Sequence, residues 1–365
     1  MDADDVVYMN AASTGPSPAR SVEAQIDFVR RRSAPHLVDF DDQFGTLERC
    51  RQLLAQLIGA RVEEIALAPN TGAGINLAAW GLPLGAGDEV VVPDGEFPAN
   101  MYPWLGASRA RGYALHVVPL VDGLPSMDAL LAALDRPGVR VLSVSWVGFS
   151  SGARLNLDVL GAACRERGIV FVVDAIQALG PLTLDVRTSP VDILACGGQK
   201  WLLSPWGTGF TYVRERVMDQ ITPQPVSWMA VRDSDDFSRL VQYDMTWRAN
   251  ARRFEQVTLA YQDFAGMAAS LELLAEIGAA EVASHLQGCA HALLEGASAR
   301  GMSLVTSIDY HGGIASVRPA DAQAASAQLT KSNVIHSVRE GTIRLAPHCY
   351  TTEDDIARTL DALSA

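Results

Sequence analysis

The chain has 365 residues, of which 48% are hydrophobic and 19% are charged, and its formal net charge is −13. This length and apolar content allow two domains or one large α/β unit and exclude a disordered chain. The excess of carboxylates disfavours nucleic acid and anionic membranes as partners, because both would be repelled on average.

Short apolar, β-branched runs alternate with helical patterns through the first two thirds of the chain. Helical periodicity occurs at residues 44–58, ended by Gly59, and begins again at 77–80 after the turn signal Asn70-Thr71-Gly72. It recurs at 127–134 and 155–167. Such alternation predicts a mainly parallel sheet covered by helices on both faces. The predicted strands are residues 89–92, 115–118, 139–144, 169–173, 193–196 and 209–213.

The pattern changes beyond about residue 260. Helix dominates residues 266–301, and residues 314–317 and 342–345 read as strands. Thr351 or Thr352, followed three residues later by an aspartate, resembles a capping box for a final helix. A second, smaller α/β layer is therefore predicted, packed against the first because no linker separates them.

The cysteines and the N-terminal residues bear on the compartment. Five scattered cysteines without a CxxC pair indicate neither a disulfide framework nor a zinc or other metal site. The chain opens on an acidic segment, and no apolar run approaches the roughly 20 residues that a membrane helix needs. We expect a cytoplasmic protein without a membrane segment.

Lysine is rare in this chain. Among 29 lysines and arginines only Lys200 and Lys331 are lysine. Arginine stays charged and cannot act as an amine nucleophile, whereas a buried lysine that loses its proton forms Schiff bases. Lys200 lies between two apolar runs, so it is the candidate for chemistry. The alternative is a lysine whose stem covers apolar surface while its head stays in water.

Asp174 and Lys200 follow two successive predicted strands. Parallel sheets bind ligands at the carboxyl ends of their strands, so the two side chains are expected at one edge. A lysine that holds an aldehyde and an aspartate that keeps a pyridine nitrogen protonated fit a pyridoxal phosphate site. A structural Asp174–Lys200 ion pair is the alternative.

Two weaker signals accompany this pair. Gln177, three residues after Asp174, could donate to the phenolate oxygen of such a cofactor or could face water at a helix start. The segment 70–74 precedes a helical run, so Thr71 and the amides of Gly72 and Ala73 could hold a phosphate at a helix N-terminus. Most glycine-rich turns of this kind are only structural.

Seven ordered segments together resemble the class V aminotransferase family, the pyridoxal phosphate enzymes that include cysteine desulfurases, isopenicillin N epimerase-like proteins and kynureninase. The resemblance covers nearly the whole chain. The segments are residues 8–16, 70–76, 96–104, 173–177, 198–201 with 207–209, 253–258 and 343–348.

The resemblance implies roles around the cofactor. Lys200 would be its Schiff-base lysine, Asp174 would face the pyridine nitrogen, and Gln177 would lie near the phenolate oxygen. Phe97 would stack on the ring, where many relatives have histidine. The residues implied for the phosphate are Thr71, Gly72, Ala73 and Gln199, with Thr258 contributed by the second subunit of a homodimer.

The resemblance also implies the architecture and the substrate side. The expected fold is a fold-type I pyridoxal phosphate enzyme, with a seven-stranded, mainly parallel sheet between helices. The large domain would span residues 15–260, and residues 1–14 with 261–365 would form the small domain. Arg344 would bind the carboxylate of an amino-acid substrate through a bidentate pair, and Asn10 would line the substrate side.

The chain departs from the family pattern in several segments. Relatives commonly have two threonines and a glutamate where this chain has Thr71-Gly72-Ala73, and Val257 replaces the usual glycine before Thr258. Residues 330–343 contain no cysteine, which disfavours the persulfide chemistry of the desulfurases.

The expected reaction is removal of the Cα proton of an amino acid, with released Lys200 as the base. Transamination, epimerisation and β-elimination of a C–S or C–N bond all remain open, since one sequence does not fix them. A cysteine desulfurase or a kynureninase-type hydrolase is an alternative reaction. The alternative from another functional class is a catalytically inactive binding protein of the same fold.

Overall fold

The computed structural model describes residues 5–364, so the first four residues of the predicted segment 1–14 lie outside the described residues. The helices are α1 Ala19–Arg32, α2 Phe40–Ile58, α3 Thr71–Gly81, α4 Pro98–Arg111, α5 Met127–Ala133, α6 Leu157–Glu166, α7 Glu215–Met218, α8 Tyr261–Ile277, α9 Ala279–Ala299, α10 Ala322–Lys331 and α11 Glu353–Ser364. The strands are β1 Val7–Tyr8, β2 Ile65–Ala68, β3 Glu89–Pro93, β4 Ala114–Val118, β5 Val139–Ser145, β6 Val170–Asp174, β7 Ile193–Gly197, β8 Gly209–Val213, β9 Ser303–Leu304, β10 Ala315–Arg318, β11 Val334–Ile335, β12 Ser337–Arg339 and β13 Thr342–Leu345.

The main sheet has seven strands in the order β2-β8-β7-β6-β5-β3-β4. Strands β4, β3, β5, β6 and β7 are parallel, while β8 runs antiparallel to both β7 and β2. The carboxyl ends of β6 and β7 therefore lie side by side. The mainly parallel seven-stranded sheet is confirmed.

Alternate residues of the strands enter two separate cores, one on each face of the main sheet. Leu142 and Phe171 pack with α2, α6 and α8 on one face. Val141 and Val172 pack with α3 and α4 on the other face. Strands that are buried on both faces are apolar throughout, which explains their uninterrupted hydrophobic runs.

A four-stranded antiparallel sheet in the order β12-β13-β10-β9 forms the smaller layer. Its core joins Val317 and Leu345 to Leu293 of α9 and Leu360 of α11. Strand β1 pairs with β11, which brings the described N-terminal residues to this layer. The smaller α/β layer is confirmed, while the proposed domain boundaries stay a prediction.

Some element boundaries differ from the predicted ones. Helix α3 begins at Thr71, not near residue 77, because the Asn70 side chain accepts a hydrogen bond from the Ala73 N–H and caps the helix. The helical run 266–301 is divided at Gly278, whose φ of 99° does not continue a helix. The capping box is confirmed at Thr352 and Asp355, since the side chain of each accepts from the backbone N–H of the other.

None of the helices within residues 5–364 is both long enough and apolar enough to cross a bilayer.

Candidate active site

A cavity of about 420 Å³ opens where the carboxyl ends of β6 and β7 face the smaller sheet. Asp174 is the last residue of β6, and Lys200 follows β7 by three residues. Strand β13 contributes Arg344 from the opposite side. The residues that line the cavity are Ala12, Ser13, Asn70, Thr71, Gly72, Phe97, Ala99, Phe149, Asp174, Ile176, Gln177, Gln199, Lys200, Arg339 and Arg344.

The backbone around Lys200 is held by close packing. The Leu203 N–H donates to the Lys200 carbonyl at 3.2 Å, and the Gly15 N–H donates to the Gln199 carbonyl at 2.9 Å. A Cβ on Gly15 would lie 2.1 Å from the Lys200 carbonyl oxygen, so only glycine permits this approach. The lysine is therefore fixed at its backbone while its side chain enters the cavity.

Burial lowers the pKa of Lys200 to about 8, and the nearby positive charge of Arg344 acts in the same direction, while Asp174 opposes the shift. The ammonium form is disfavoured because it loses hydration inside the cavity. A substantial fraction of this amine is thus neutral near pH 8, as a nucleophile or a base requires.

Asp174 is only 2% exposed. Burial raises the pKa of its carboxyl to about 6, against the hydrogen bond from the Ile176 N–H and the positive charge of Lys200. Asp174 and Lys200 influence each other through charge, without a side-chain hydrogen bond between them. The structural ion pair that the sequence left open is therefore not formed between these two described side chains.

Gln177 lies beside Asp174 with a fixed amide orientation. Trp201 donates its indole N–H to Gln177 Oε1 at 3.0 Å, and Gln177 Nε2 donates to the Ala12 carbonyl at 2.9 Å. Since Oε1 already accepts from Trp201, the remaining amide proton of Nε2 is the group that Gln177 has for a ligand. The side chain lines the cavity as a donor.

One end of the cavity is formed by the start of α3. Thr71 and Gly72 occupy its first turn, where helix N–H groups have no intrahelical partner. Thr71 Oγ1 accepts from the Gly197 N–H at 2.9 Å, so its hydroxyl proton stays available as a donor. Neutral donors and the positive end of the helix dipole suit an anion here.

The N–H of Ala73, another residue predicted for the phosphate, is donated to Asn70 Oδ1 at 3.0 Å, and Ala73 does not line the cavity. The nearby Gln199 does line it, and its Oε1 is buried without a hydrogen-bond partner among residues 5–364. An amide oxygen only accepts, so its partner in the filled site must be a donor, while the Nε2 group of the same side chain can donate to an anion.

Two aromatic side chains form an apolar wall. Phe97 stands at the start of α4, and its ring centroid is 5.2 Å from that of Phe149, edge to face. Lys200 Nζ lies 5.8 Å from the Phe97 centroid. Phe97 is still 43% exposed, so its ring has a free surface for stacking.

Arg344 is 2% exposed and uses each nitrogen on a neutral oxygen. It donates to Ser337 Oγ at 3.1 Å, to the Phe149 carbonyl at 2.6 Å and to Ser13 Oγ at 2.7 Å. Burial lowers the pKa of Arg344 to about 10, and the charge of Arg339 lowers it further. A buried guanidinium without a carboxylate partner within the described chain fits an anionic ligand.

Two further predicted residues lie outside the cavity lining. Asn10 forms a bridge to Ala346, while its neighbours Ala12 and Ser13 line the cavity instead. Thr258 is exposed and does not line it within one chain.

Sequence reasoning did not identify Ser13, which lies in the recognised segment 8–16, or Arg339. The signal for Arg339 is the sequence Arg339-Glu340-Gly341, a turn that returns the chain to Arg344.

The cysteines lie away from this cavity's lining. Cys349 contacts His348 Nδ1 at 3.2 Å, and burial raises the pKa of its thiol. All five cysteines are free thiols. The lining of the cavity contains no thiol in position to accept sulfur.

The donor set fits pyridoxal phosphate. The start of α3 offers N–H groups without intrahelical partners and the Thr71 hydroxyl to an anion, and the neutralised amine of Lys200 can bind an aldehyde. Asp174 can pair with a ring nitrogen between them. Fold and site together define a pyridoxal phosphate-dependent enzyme of fold type I.

The chain belongs to the class V aminotransferase family, since the family model "Aminotransferase class-V" matches residues 7–358. Pyridoxal phosphate is the cofactor of this family. The chain is 29% identical over 378 residues to isopenicillin N epimerase from Streptomyces clavuligerus, covering 99% of this chain and 94% of that protein. It is 31% identical over 289 residues to a probable cysteine desulfurase from Methanothermobacter thermautotrophicus, covering 77% of this chain and 70% of that one.

Solved structures show the same fold. A complex between the cystine C–S lyase C-DES and its reaction product cysteine persulfide superposes with a TM-score of 0.90, at 23% identity, covering 99% of this chain and 98% of that chain. The apo cysteine desulfurase from Thermococcus onnurineus NA1 gives a TM-score of 0.87 at 22% identity, covering 99% and 94%. The expected fold-type I architecture is confirmed.

Proposed function

We propose that the enzyme binds pyridoxal phosphate through Lys200 and removes the Cα proton of an α-amino acid with the amine of that lysine. The observation that carries the proposal is a lysine with its pKa lowered to about 8, the one amine in the lining of the cavity that also contains Asp174 and Arg344. Bound pyridoxal phosphate supplies an electron sink for the carbanion that deprotonation leaves.

The other residues hold the reactants in place. Asp174 pairs with the ring nitrogen, Gln177 donates to the phenolate oxygen, and Phe97 stacks on the ring. Arg344 binds the substrate carboxylate, with Asn10 behind Ser13 on the substrate side. The phosphate is held by Thr71, Gly72 and Gln199, with Thr258 reaching in from the second subunit of a homodimer.

The favoured outcomes are transamination and β-elimination of a C–S or C–N bond. A desulfurase reaction is less well supported, because the cavity lining contains no thiol and Cys349 is engaged with His348. Epimerisation is supported by the likeness to isopenicillin N epimerase, although the lining offers Lys200 alone as an amine that can return a proton. We also propose a cytoplasmic location, in keeping with the free thiols.

The test is spectroscopic. The purified protein with pyridoxal phosphate is expected to absorb in the visible, to lose that band in Lys200→Ala and to keep it in Lys331→Ala. α-Amino acids should change the band, and mass spectrometry of the products should identify the outcome. A protein that pyridoxal phosphate does not colour, or that no α-amino acid perturbs, would favour the inactive binding protein.

A further inference from the structure

Two arginines enter the cavity side by side from the smaller sheet. In the antiparallel pair β12–β13, Ser337 lies opposite Arg344 and Arg339 lies opposite Thr342. Residues two apart on a strand share a face, so Arg339 and Arg344 project from the same face of the sheet. Both line the cavity that contains Lys200.

Neither arginine has a carboxylate partner among the side chains that the structure describes, which are those of residues 5–39 and 42–364. Arg344 donates to two hydroxyl oxygens and one carbonyl oxygen, and Arg339 donates to the carbonyl of the adjacent Val338 at 2.8 Å. Buried arginines elsewhere in the chain are paired, as Arg51 is with Glu255 at 2.7 Å. Arg344 is buried and Arg339 is half-buried, so both guanidinium groups lose hydration that a ligand carrying the counterion would compensate.

The cationic side chains that line the cavity outnumber the carboxylates. Its lining carries Lys200, Arg339 and Arg344 against the single carboxylate of Asp174. The phosphate of the cofactor is proposed to lie at the other end, at the start of α3. The α-carboxylate of a substrate neutralises Arg344, and Arg339 then faces the substrate with its charge unmatched.

We infer that Arg339 binds a second anionic group on the substrate, so that the enzyme acts on an α-amino acid whose short side chain ends in a carboxylate or a phosphate. This inference rests on the proposed function.

The neighbouring cavity of about 540 Å³ limits the length of that side chain. It shares Phe149 with the first cavity, and its lining includes the acidic side chains of Asp94 and Glu340 against one arginine, Arg318. Glu96 also lines it, with a pKa that burial raises to about 7. An anion that extended past Arg339 would be repelled there.

The experiment compares isosteric substrates on the holoenzyme. Aspartate is paired with asparagine, glutamate with glutamine, and phosphoserine with serine. We expect the wild type to prefer the anionic member of at least one pair. A preference for aspartate or glutamate would identify a carboxylate as the second anion, and a preference for phosphoserine would identify a phosphate. In Arg339→Gln the ratio of kcat/KM within the preferred pair should fall roughly ten- to a hundredfold, as for loss of a charged hydrogen bond. The change should lie mainly in KM, and Arg339→Lys should retain part of the preference.

The matched control is Arg165→Gln, which removes an exposed arginine on α6 that does not line the cavity and should leave the ratio unchanged. Binding is measured independently of turnover by calorimetric titration of the holoprotein with succinate and with butyrate. Succinate should bind more tightly than butyrate, and Arg339→Gln should remove the difference.

Three results would overturn the inference: no preference in any pair, equal losses for both members of a pair in Arg339→Gln, or succinate binding that does not depend on Arg339. Failure of the proposed function is distinguishable, because then the visible band of the cofactor would not depend on Lys200 at all.

Discussion

At the scale of single residues, the site depends on opposing effects on one amine. Burial disfavours the charge on Lys200, and the negative charge of Asp174 restores part of it, which leaves the pKa at about 8. An ordinary surface lysine stays protonated up to a pH of about 10.4. Lys200 therefore offers a neutral amine at a lower pH than an ordinary surface lysine does.

The rate at which the apoprotein captures pyridoxal phosphate should depend on the pH. Only the neutral amine attacks an aldehyde, so the rate constant should rise with pH and level off above about 8, the pKa of Lys200. Stopped-flow absorbance between pH 6 and pH 10 measures it.

Asp174→Asn provides the control. Removing a negative charge that raises the pKa of Lys200 should move the midpoint to lower pH. If the midpoint were unchanged in this variant, or lay near 10, the cavity would not control the pKa of Lys200.

Trp201 should stabilise the protein partly through the orientation of Gln177. Trp201→Phe removes the buried N–H donated to Gln177 Oε1 and should cost about 1–3 kcal/mol of the free energy of unfolding. In a Gln177→Leu background the cost should be smaller by about 1 kcal/mol, since the acceptor is gone. Trp104→Phe is the control, because Trp104 donates to Ser143 Oγ and should show no coupling to Gln177. Additive effects of Trp201→Phe and Gln177→Leu would contradict this assignment.

At the scale of elements, the segment 13–15 closes onto the loop that follows β7. Gly15 contacts the Lys200 carbonyl, and Ser13 accepts from Arg344 of β13. One short segment thus joins the edge of the main sheet to the smaller sheet. Its backbone sets how closely the two layers approach around the cavity.

Gly15→Ala tests this close approach. The added Cβ would lie 2.1 Å from the Lys200 carbonyl oxygen and 2.9 Å from Leu203 Cδ2, so the backbone must shift. We expect a loss of about 1–3 kcal/mol in the free energy of unfolding, together with weaker retention of the cofactor in equilibrium dialysis. Gly45→Ala in α2 meets nothing within 4 Å and should stabilise by about 0.5–1 kcal/mol. Equal behaviour of the two variants would rule out the constraint at Gly15.

The sequence patterns predicted the strands that are buried on both faces of the sheet. They missed the features that depend on a capping side chain or on pairing with another strand. The runs that became β6 and β7 are continuous and apolar, so the adjacency of Asp174 and Lys200 followed from sheet geometry alone. The predicted start of α3 is too late. The glycines at 72 and 74 weaken the helical pattern in the first turn, which the Asn70 cap initiates. Arg339 enters the cavity only through the β12–β13 register, and that register is a long-range property.

At the scale of the whole molecule, exposed hydrophobic side chains concentrate in the segment 226–245, among them Val226, Trp228, Leu240, Val241, Tyr243 and Met245. Large exposed apolar patches often mark protein–protein interfaces. A second copy of the chain is the proposed occupant, and exposed Thr258 then belongs to a site shared between subunits.

Mixing of variants tests the shared site. Lys200→Ala and Thr258→Arg should each be inactive, since one lacks the amine and the other blocks the partner's phosphate site. After joint unfolding and refolding in equal amounts, random pairing should restore about a quarter of the wild-type activity, because half the dimers are mixed and each mixed dimer has one intact site. No recovery, or a monomer in analytical ultracentrifugation, would contradict a shared site.

Lys200 is proposed to bind the cofactor, and the scarcity of lysine allows a direct measurement of that bond. Borohydride reduction of the holoprotein fixes pyridoxal phosphate to the amine that holds it, and peptide mass spectrometry locates the added mass. With only Lys200 and Lys331 in the chain, we expect one label per chain, on the peptide that contains Lys200. A label on Lys331 or on the N-terminal amine, or a protein that carries none, would contradict it.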